Sequence, residues 1–386
     1  MKIKYIINAR IPTEKAHGWA ACRLCAEFSN LGVDTELIVP RRINHIQEDA
    51  YSFYNLKRGF AIQYVDSFDF FKFQKYLGGK ISFYLQSLAY FLKLFFLEID
   101  KDAIVYTRNP EIVWIFSLRG RKTVYECHDW FGKHKNIALC LLKKASKIIT
   151  TNSYIKKEFL NNKFQQEILV ARNGVDLDIF DLNISKQEAV EKLNIDKEIK
   201  QKLLKCKVLL YTGSFKTMGE DKGMEDIISS FKYLADDIIF LAIGGNEKDI
   251  VYYEKKVMED EVVGRVFLFD KKEQSELAIF QKSADILLMP FPDKAHYKYH
   301  MTPLKMFEYM ASDRPIIASN LPSIKEVLEE NNCFFCEPDD PKNLAEKINY
   351  VLVSGEEAQR KTDKAHYDVK KFTWRKRAEN ILNHIK

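Results

Sequence analysis

Two kinds of hydrophobic pattern alternate along the whole chain. Short runs that are almost continuously apolar, such as "AIVYTRN", "KIITTNS", "IIFLAIGG" and "DILLMPF", are separated by longer stretches with apolar residues every three or four positions. The first pattern predicts strands covered on both faces, as in a parallel sheet, and the second predicts amphipathic helices. The first half holds six strand-like runs: "KIKYIINA", "TELIVP", "AIVYTRN", "TVYECHD", "KIITTNS" and "EILVARN". The second half holds "KVLLYTGS", "IIFLAIGG", "RVFLFD", "DILLMPF", "RPIIASN" and "CFFCEP". The expected fold class is therefore α/β, with two Rossmann-like, doubly wound domains in series. A charged, strandless stretch around 178–206 places the seam there. The domains expected are 1–178 and 179–365, with an amphipathic C-terminal helix in 366–386 returning to the first.

Composition narrows the class without changing it. With 386 residues, 46% hydrophobic and 30% charged, the chain is long enough for two cores, and a net charge of +6 is too small to imply nucleic acid. The N-terminal "MKIKYIINARIP" has no secretory apolar core. The longest apolar run, "ISFYLQSLAYFLKLFFL" (81–97), is interrupted by Gln86 and Lys93 and is too short to span a bilayer. A cytoplasmic location is expected. Seven cysteines include the C-x-x-C pairs Cys22/Cys25 and Cys333/Cys336. The first pair lies in a predicted helix, and the second lies on an apparent strand, where odd spacing points the thiols to opposite faces. Packing, not zinc, is the expected role.

Ligands of such sheets bind beyond the carboxyl ends of the strands, so polar residues there carry the functional signal. After the first strand His17 and Gly18 open a helix, but the G-x-G-x-x-G fingerprint of a dinucleotide site is absent. Arg108 and Asn109 follow a later strand, then Glu126, His128 and Asp129, then Asn152 and Ser153, then Asn173, Gly174, Val175 and Asp176. Each alone is commonly a cap or turn residue. His128, next to two carboxylates at a strand end, points toward function.

In the second half, "YTGSFKTMGEDKGMEDII" reads as a strand, a turn with Gly213, and Lys222-Gly223 opening a helix. Backbone amides and an ammonium suit a diphosphate, although a solvated loop lysine is the ordinary alternative. Further on, "YHMTPLKMFEYMASDRPIIASNLPSIKEVL" (299–328) begins a helix with Thr302 as cap and Pro303 at its first position. Leu304, Phe307, Met310 and Ala311 form its core-facing stripe, with Glu308 at the edge. Glu308 lies six residues beyond Thr302, roughly 9 Å along the axis. That is about the distance from a nucleotide's phosphates to its ribose, so the carboxylate suits two vicinal hydroxyls and Lys305 suits the phosphates, with an ion-paired surface glutamate as the ordinary alternative.

Taken together, "RNGVD" with Phe180, "YTGS" with the later Lys222-Gly223, "IGG", "ELAIFQKSADILLMPF" and the 299–328 segment resemble glycosyltransferase family 4. The resemblance runs almost end to end and is densest over 206–330. It implies a GT-B enzyme, two Rossmann-like domains facing a cleft, that transfers a sugar from a UDP- or GDP-sugar with retention. It also implies a glycan or lipid-linked acceptor, bacterial surface polysaccharide or glycoconjugate synthesis, and no cofactor or divalent metal. No D-x-D is positioned at the carboxyl end of a strand; "DLD" (176–178) follows the N-G turn into the linker. The carried-over donor residues are Gly18, Gly213, Ser214, Lys216, Lys222, Met301, Thr302, Pro303, Leu304, Lys305 and Glu308. His128, Lys222 and His300 fall at the chemistry, and His17, Arg108, Asn109, Glu126 and Asp129 on the acceptor side.

Two positions depart from the family pattern. His300 stands where the first glutamate of the E-x7-E pair is usual, and Ser214 where an arginine is usual; Lys216 or Lys305 is the candidate for the missing cation. A GT-B sugar-nucleotide epimerase, a sucrose- or trehalose-type transferase and an inactive sugar-nucleotide-binding subunit are the alternatives. Residues 133–163 hold eight lysines against the single acid Glu158, near the aromatic 81–97 run. This points to docking on the anionic inner face of the cell membrane, with a solvated helical face as the ordinary alternative.

Overall fold

The computed structural model describes residues 1–217 and 219–386. The chain forms two compact units, Met1–Arg172 with Trp374–Lys386, and Asn173–Thr373. The divisions at 172/173 and 373/374 replace those expected at 178/179 and 365/366. The reason is local: the Val175 N–H donates to the Phe372 carbonyl at 2.9 Å, and Val175 bridges Thr373, so both crossing segments are held by the second unit up to those points. The Gly355–Val369 helix thus lies wholly in the second unit, and the Trp374–Ile385 helix alone returns to the first. The strandless 178–206 stretch is also part of the second unit, not a seam.

The first unit is built on seven parallel strands: β1 (Lys2–Ile6), β2 (Asp34–Pro40), β3 (Ala61–Val65), β4 (Ile104–Thr107), β5 (Thr123–Cys127), β6 (Lys147–Thr150) and β7 (Ile168–Val170). Their order is β3-β2-β1-β4-β5-β6-β7. Residues on each strand alternate between two cores. Tyr5, Leu37, Tyr106, Val124 and Ile149 pack with the Ala16–Asn30 and Trp374–Ile385 helices. Ile6, Ile38 and Val105 pack with the Gly79–Phe96 and Pro110–Leu118 helices. On that same second face Tyr125 and Ile148 meet the Lys135–Leu142 and Ser153–Asn161 helices. One face therefore carries four consecutive helices in its outer layer. Cys22 and Cys25 are buried among apolar residues of the first face.

The second unit has six parallel strands: β8 (Lys207–Thr212), β11 (Ile238–Gly245), β12 (Val266–Asp270), β13 (Ile286–Met289), β14 (Ile316–Ser319) and β15 (Phe334–Cys336), in the order β12-β11-β8-β13-β14-β15. A two-residue antiparallel ribbon, β9 (Lys216–Thr217) with β10 (Glu220–Asp221), interrupts the path from β8 to the next helix. Leu210, Leu241 and Leu287 face one core, and Leu209, Phe240 and Leu288 the other. Cys333 and Cys336 fall in opposite cores, as the odd spacing predicts. Among the described residues no three His, Cys, Asp or Glu side chains gather as a metal site would require.

Candidate active site at the strand carboxyl ends

In the first unit the strand ends converge on Glu126, the fourth residue of β5, whose side chain is fully buried. Arg108 Nε donates to its Oε2 at 3.1 Å, and the Tyr5 hydroxyl donates to the same oxygen at 3.2 Å. Arg377, from the Trp374–Ile385 helix, donates to Oε1 and to the Ala171 and Arg172 carbonyls. His128 Nε2 lies 2.8 Å from Oε1, an ion-pair distance without the alignment of a well-directed hydrogen bond. Burial alone would raise the Glu126 carboxyl. Arg108, His128 and Arg377 outweigh it and hold the group well below the usual carboxylate range. Burial, then Arg108, pushes His128 down to about 4, against the opposing pull of Glu126. A side chain that keeps 28% of its surface is then a neutral imidazole at pH 7, open on one side.

Most of the other expected residues at the strand ends make local contacts. Asn109 accepts from the Asn8 N–H at 3.0 Å and so fixes the segment after β1. Asp129 accepts from the Trp130 N–H at 2.7 Å. His17 is exposed in the first turn of its helix. A side chain on Gly18 would meet Thr13 at 2.4 Å and the Tyr54 hydroxyl at 2.5 Å, so this glycine admits the neighbouring loop. Asn152 caps the Ser153–Asn161 helix through the Ile155 N–H, and Asp176 caps Leu177–Phe180. Asn173 donates to the Thr302 carbonyl at 2.7 Å.

The second unit gathers two ammonium groups at the end of β8. Gly213 turns the chain at φ +112°, and the tip of Lys305 occupies the space beside it, its Nζ 3.6 Å from where a Cβ would stand. Lys305 is only 6% exposed and its Nζ has no hydrogen-bond partner; it lies 3.3 Å from the centre of the Tyr211 ring. Lys222 Nζ donates to Ser214 Oγ at 3.2 Å. Both ammonium groups lie beside the Phe291 ring, at 5.8 Å for Lys222 and 5.3 Å for Lys305. Burial pushes Lys222 down to about 8, and burial followed by the nearby Lys222 charge pushes Lys305 well below the usual lysine range. Lys216 is elsewhere, its Nζ 3.3 Å from the centre of the Tyr252 ring. Of Lys216 and Lys305, only Lys305 has its ammonium beside the Gly213 turn, next to the Lys222 that bonds Ser214.

Tyr309 explains why Lys305 arrives there. Its hydroxyl accepts from the Thr212 N–H at 2.8 Å and bonds the Thr212 hydroxyl at 3.2 Å, tying the Leu304–Ala311 helix to the end of β8. Sequence reading missed this tyrosine; the only signal was a polar-tipped aromatic inside an apolar stripe. Thr302 is not the cap expected of it. Pro303 holds the cap position in an extended conformation, and the helix begins at Leu304. Lys305 and Glu308 share one side of this helix, and burial raises Glu308 to about 7. His300 ends a single π-helical turn, His296–His300, ahead of the buried Met301 and Thr302. Gly223 sits at φ +92°, where a Cβ would fall 1.8 Å from the Pro290 carbonyl oxygen. Its N–H donates to Asp221 at 2.5 Å, so this amide, expected to face a phosphate, is already used.

The fold is that of GT-B glycosyltransferases: two α/β units, each on a parallel sheet. The family model "Glycosyl transferases group 1" matches residues 206–354, which contain the whole lysine cluster. The chain is 23% identical over 257 residues to the putative teichuronic acid biosynthesis glycosyltransferase TuaH of Bacillus subtilis (strain 168). That match covers 65% of this chain and only 59% of the relative. Anabaena Alr3699/HepE, crystallised in complex with UDP, superposes with a TM-score of 0.71 at 14% identity over 99% of both chains. A glycosyltransferase from Rickettsia africae ESF-5 gives 0.72 at 16% identity over 100% of this chain and 97% of its own.

Proposed function

We propose that this protein is a retaining, metal-independent glycosyltransferase of family 4. It moves a hexose from a UDP- or GDP-sugar to a hydroxyl of a glycan or lipid-linked acceptor, in the assembly of a bacterial surface polysaccharide or glycoconjugate. The observation that carries the proposal is the Lys222–Lys305 pair. Two neighbouring ammonium groups beside one strand end, Lys305 buried and Lys222 half-buried, with no carboxylate at ion-pair distance among the described residues, are costly alone and favourable around an anion such as a diphosphate. The UDP bound by the Anabaena relative and the biosynthetic role in the name of the Bacillus relative support the donor and the setting.

In this reading Glu308 accepts from the donor ribose hydroxyls, and Lys222 and Lys305 meet the charge that grows on the diphosphate as its bond to the sugar C1 breaks. Charge met in this way removes the need for a protein acid. The acceptor hydroxyl attacks C1 from the face the diphosphate leaves, and its proton passes to the departing phosphate oxygen. His128, neutral at pH 7, matches the histidine of the family pattern, and His300 stands at the position of the first carboxylate of the family pair. Incubation with labelled UDP- and GDP-sugars, with and without candidate acceptors and with chelator, tests the proposal. Acceptor-dependent transfer that survives chelation is expected. Donor isomerised without acceptor, or strict dependence on Mg²⁺ or Mn²⁺, would overturn it.

A further inference from the structure

The Gly79–Phe96 helix of the first unit has its polarity turned inside out. Its buried side carries Ser82, Gln86 and Ser87 with Tyr90 and Leu94. Two of those polar groups are satisfied within the unit. Gln86 accepts from the Phe70 N–H at 2.8 Å, and Ser87 accepts from Asn8 Nδ2 at 2.9 Å and donates to the Phe83 carbonyl at 2.8 Å. Its outward side presents Phe83, Tyr84, Leu88, Leu92, Phe95 and Phe96, with Tyr84 61% and Phe96 77% exposed. Trp114 and Leu118 of the adjoining Pro110–Leu118 helix, and Ile137 of Lys135–Leu142, are exposed in the same outer layer. Exposed apolar side chains concentrated on one helix and its neighbours mark a place of contact.

Its charge decides the partner. Lys72, Lys75, Lys80 and Lys93 are exposed in and just before this helix, and no acidic residue occurs from Phe70 to Leu97. Lys143 and Lys144 are exposed beyond the end of the Lys135–Leu142 helix. Of the other lysines expected to contribute, Lys147 is ion-paired with Glu167 and Lys135 lies over the Trp130 ring at 5.5 Å. A second copy of the chain, docked through the same helix, would bring like charges together with no acid on the helix to offset them. Aromatic and aliphatic side chains ringed by lysine are instead the pattern of a helix lying in the interface of an anionic bilayer. We propose that this face docks the protein on an anionic lipid surface, with Tyr84, Leu88, Leu92 and Phe95 entering the headgroup boundary and Lys80 and Lys93 facing lipid phosphates. Among the described residues no helix is long and apolar enough to cross a membrane, so the docking is peripheral.

Cosedimentation with phosphatidylglycerol and phosphatidylcholine vesicles tests this without any sugar donor, so its outcome is independent of the proposed transfer reaction. Binding to phosphatidylglycerol that weakens as salt rises is expected. Lys80→Glu with Lys93→Glu should lower partitioning at least about twentyfold, from about fivefold per lysine. Leu88→Ser with Leu92→Ser should lower it at least about tenfold at unchanged salt dependence. Both pairs are exposed, so thermal unfolding should match wild type. Equal binding to neutral and anionic vesicles, or none to either, would overturn the proposal. So would a wild-type dimer that Leu88→Ser with Leu92→Ser converts to a monomer.

Discussion

Arg377 donates to Glu126 across 251 residues of chain, and both side chains are almost completely buried, at 2% and 0% exposure. Removing one partner of such a pair leaves an uncompensated charge, which costs far more than the net worth of the pair. Arg377→Ala should lower stability by about 3–5 kcal/mol in urea unfolding. Arg377→Lys should recover only part of this, because one ammonium cannot reach Glu126 and two carbonyls in the planar fork that the guanidinium supplies. A variant that unfolds like wild type would show the contact to be dispensable.

Donor binding should separate Lys305 from Lys216. Lys305→Met is expected to weaken binding of a UDP- or GDP-sugar at least about tenfold, the worth of one charge-assisted contact. Lys216→Ala should change it less than about threefold, as for a cation at the rim. Because the unliganded protein holds the Lys305 ammonium buried and unpaired, Lys305→Met should also melt at or above the wild-type temperature. Equilibrium binding and a thermal scan read both outcomes.

The same site sets a pH window. Glu308, raised by burial to about 7, is a carboxylate only above that pH, so if it holds the donor ribose, affinity should fall as pH drops through it. Lys222, lowered by burial to about 8, loses its charge above that pH, so affinity should fall again as pH rises. A bell-shaped profile is expected with an intact nucleotide sugar, whose own phosphates do not titrate in this range. Glu308→Gln should remove the acid limb, and Lys222→Arg should move the alkaline limb upward. An acid limb that survives in Glu308→Gln would assign it to another group.

His128 should make the protein more stable at neutral pH than in mild acid. Its folded pKa of about 4 lies below the 6.5 of a free imidazole, so between those values the unfolded chain binds more protons. Stability is full above the unfolded value and is lost as pH falls through the window toward 4. Glu126, whose folded pKa is depressed, adds a further loss only below the usual carboxylate value, a separable acid step. Urea midpoints at several pH values should show a shallower slope between pH 6.5 and 4.5 in His128→Gln than in wild type.

Parallel strands buried on both faces were readable because continuous apolar runs have few other uses. β3 was not: its residues are largely exposed at the sheet edge, and "AIQYV" lacks that signature. The β9–β10 ribbon was equally hidden, since two-residue strands of Lys, Thr, Glu and Asp carry no periodicity. In the site, Lys222 and Glu308 were visible as chemistry at strand and helix positions. The choice of Lys305 over Lys216 was not, because it depends on Tyr309 pinning a helix to Thr212, 97 residues away. Arg108 and Glu126 were visible as polar residues at strand ends, yet their side chains turn toward each other, a partnership that Arg377 completes and that local sequence does not encode.

The first unit's polypeptide is interrupted by roughly two hundred residues that fold elsewhere. At synthesis rates of about 5–20 residues per second, its sheet would wait on the order of 10–40 s after β7 for the Trp374–Ile385 helix to emerge. During that interval the face that holds Tyr5, Leu37 and Tyr106 lacks one of its two covering helices, and Glu126 lacks its guanidinium. The second unit, continuous in the chain, can be complete before the first. A nascent chain stalled before Trp374 would therefore carry a finished second unit and an unsealed first sheet, a species suited to capture by chaperones. Loss of the last dozen residues would be felt as a failure of maturation rather than as a trimmed end.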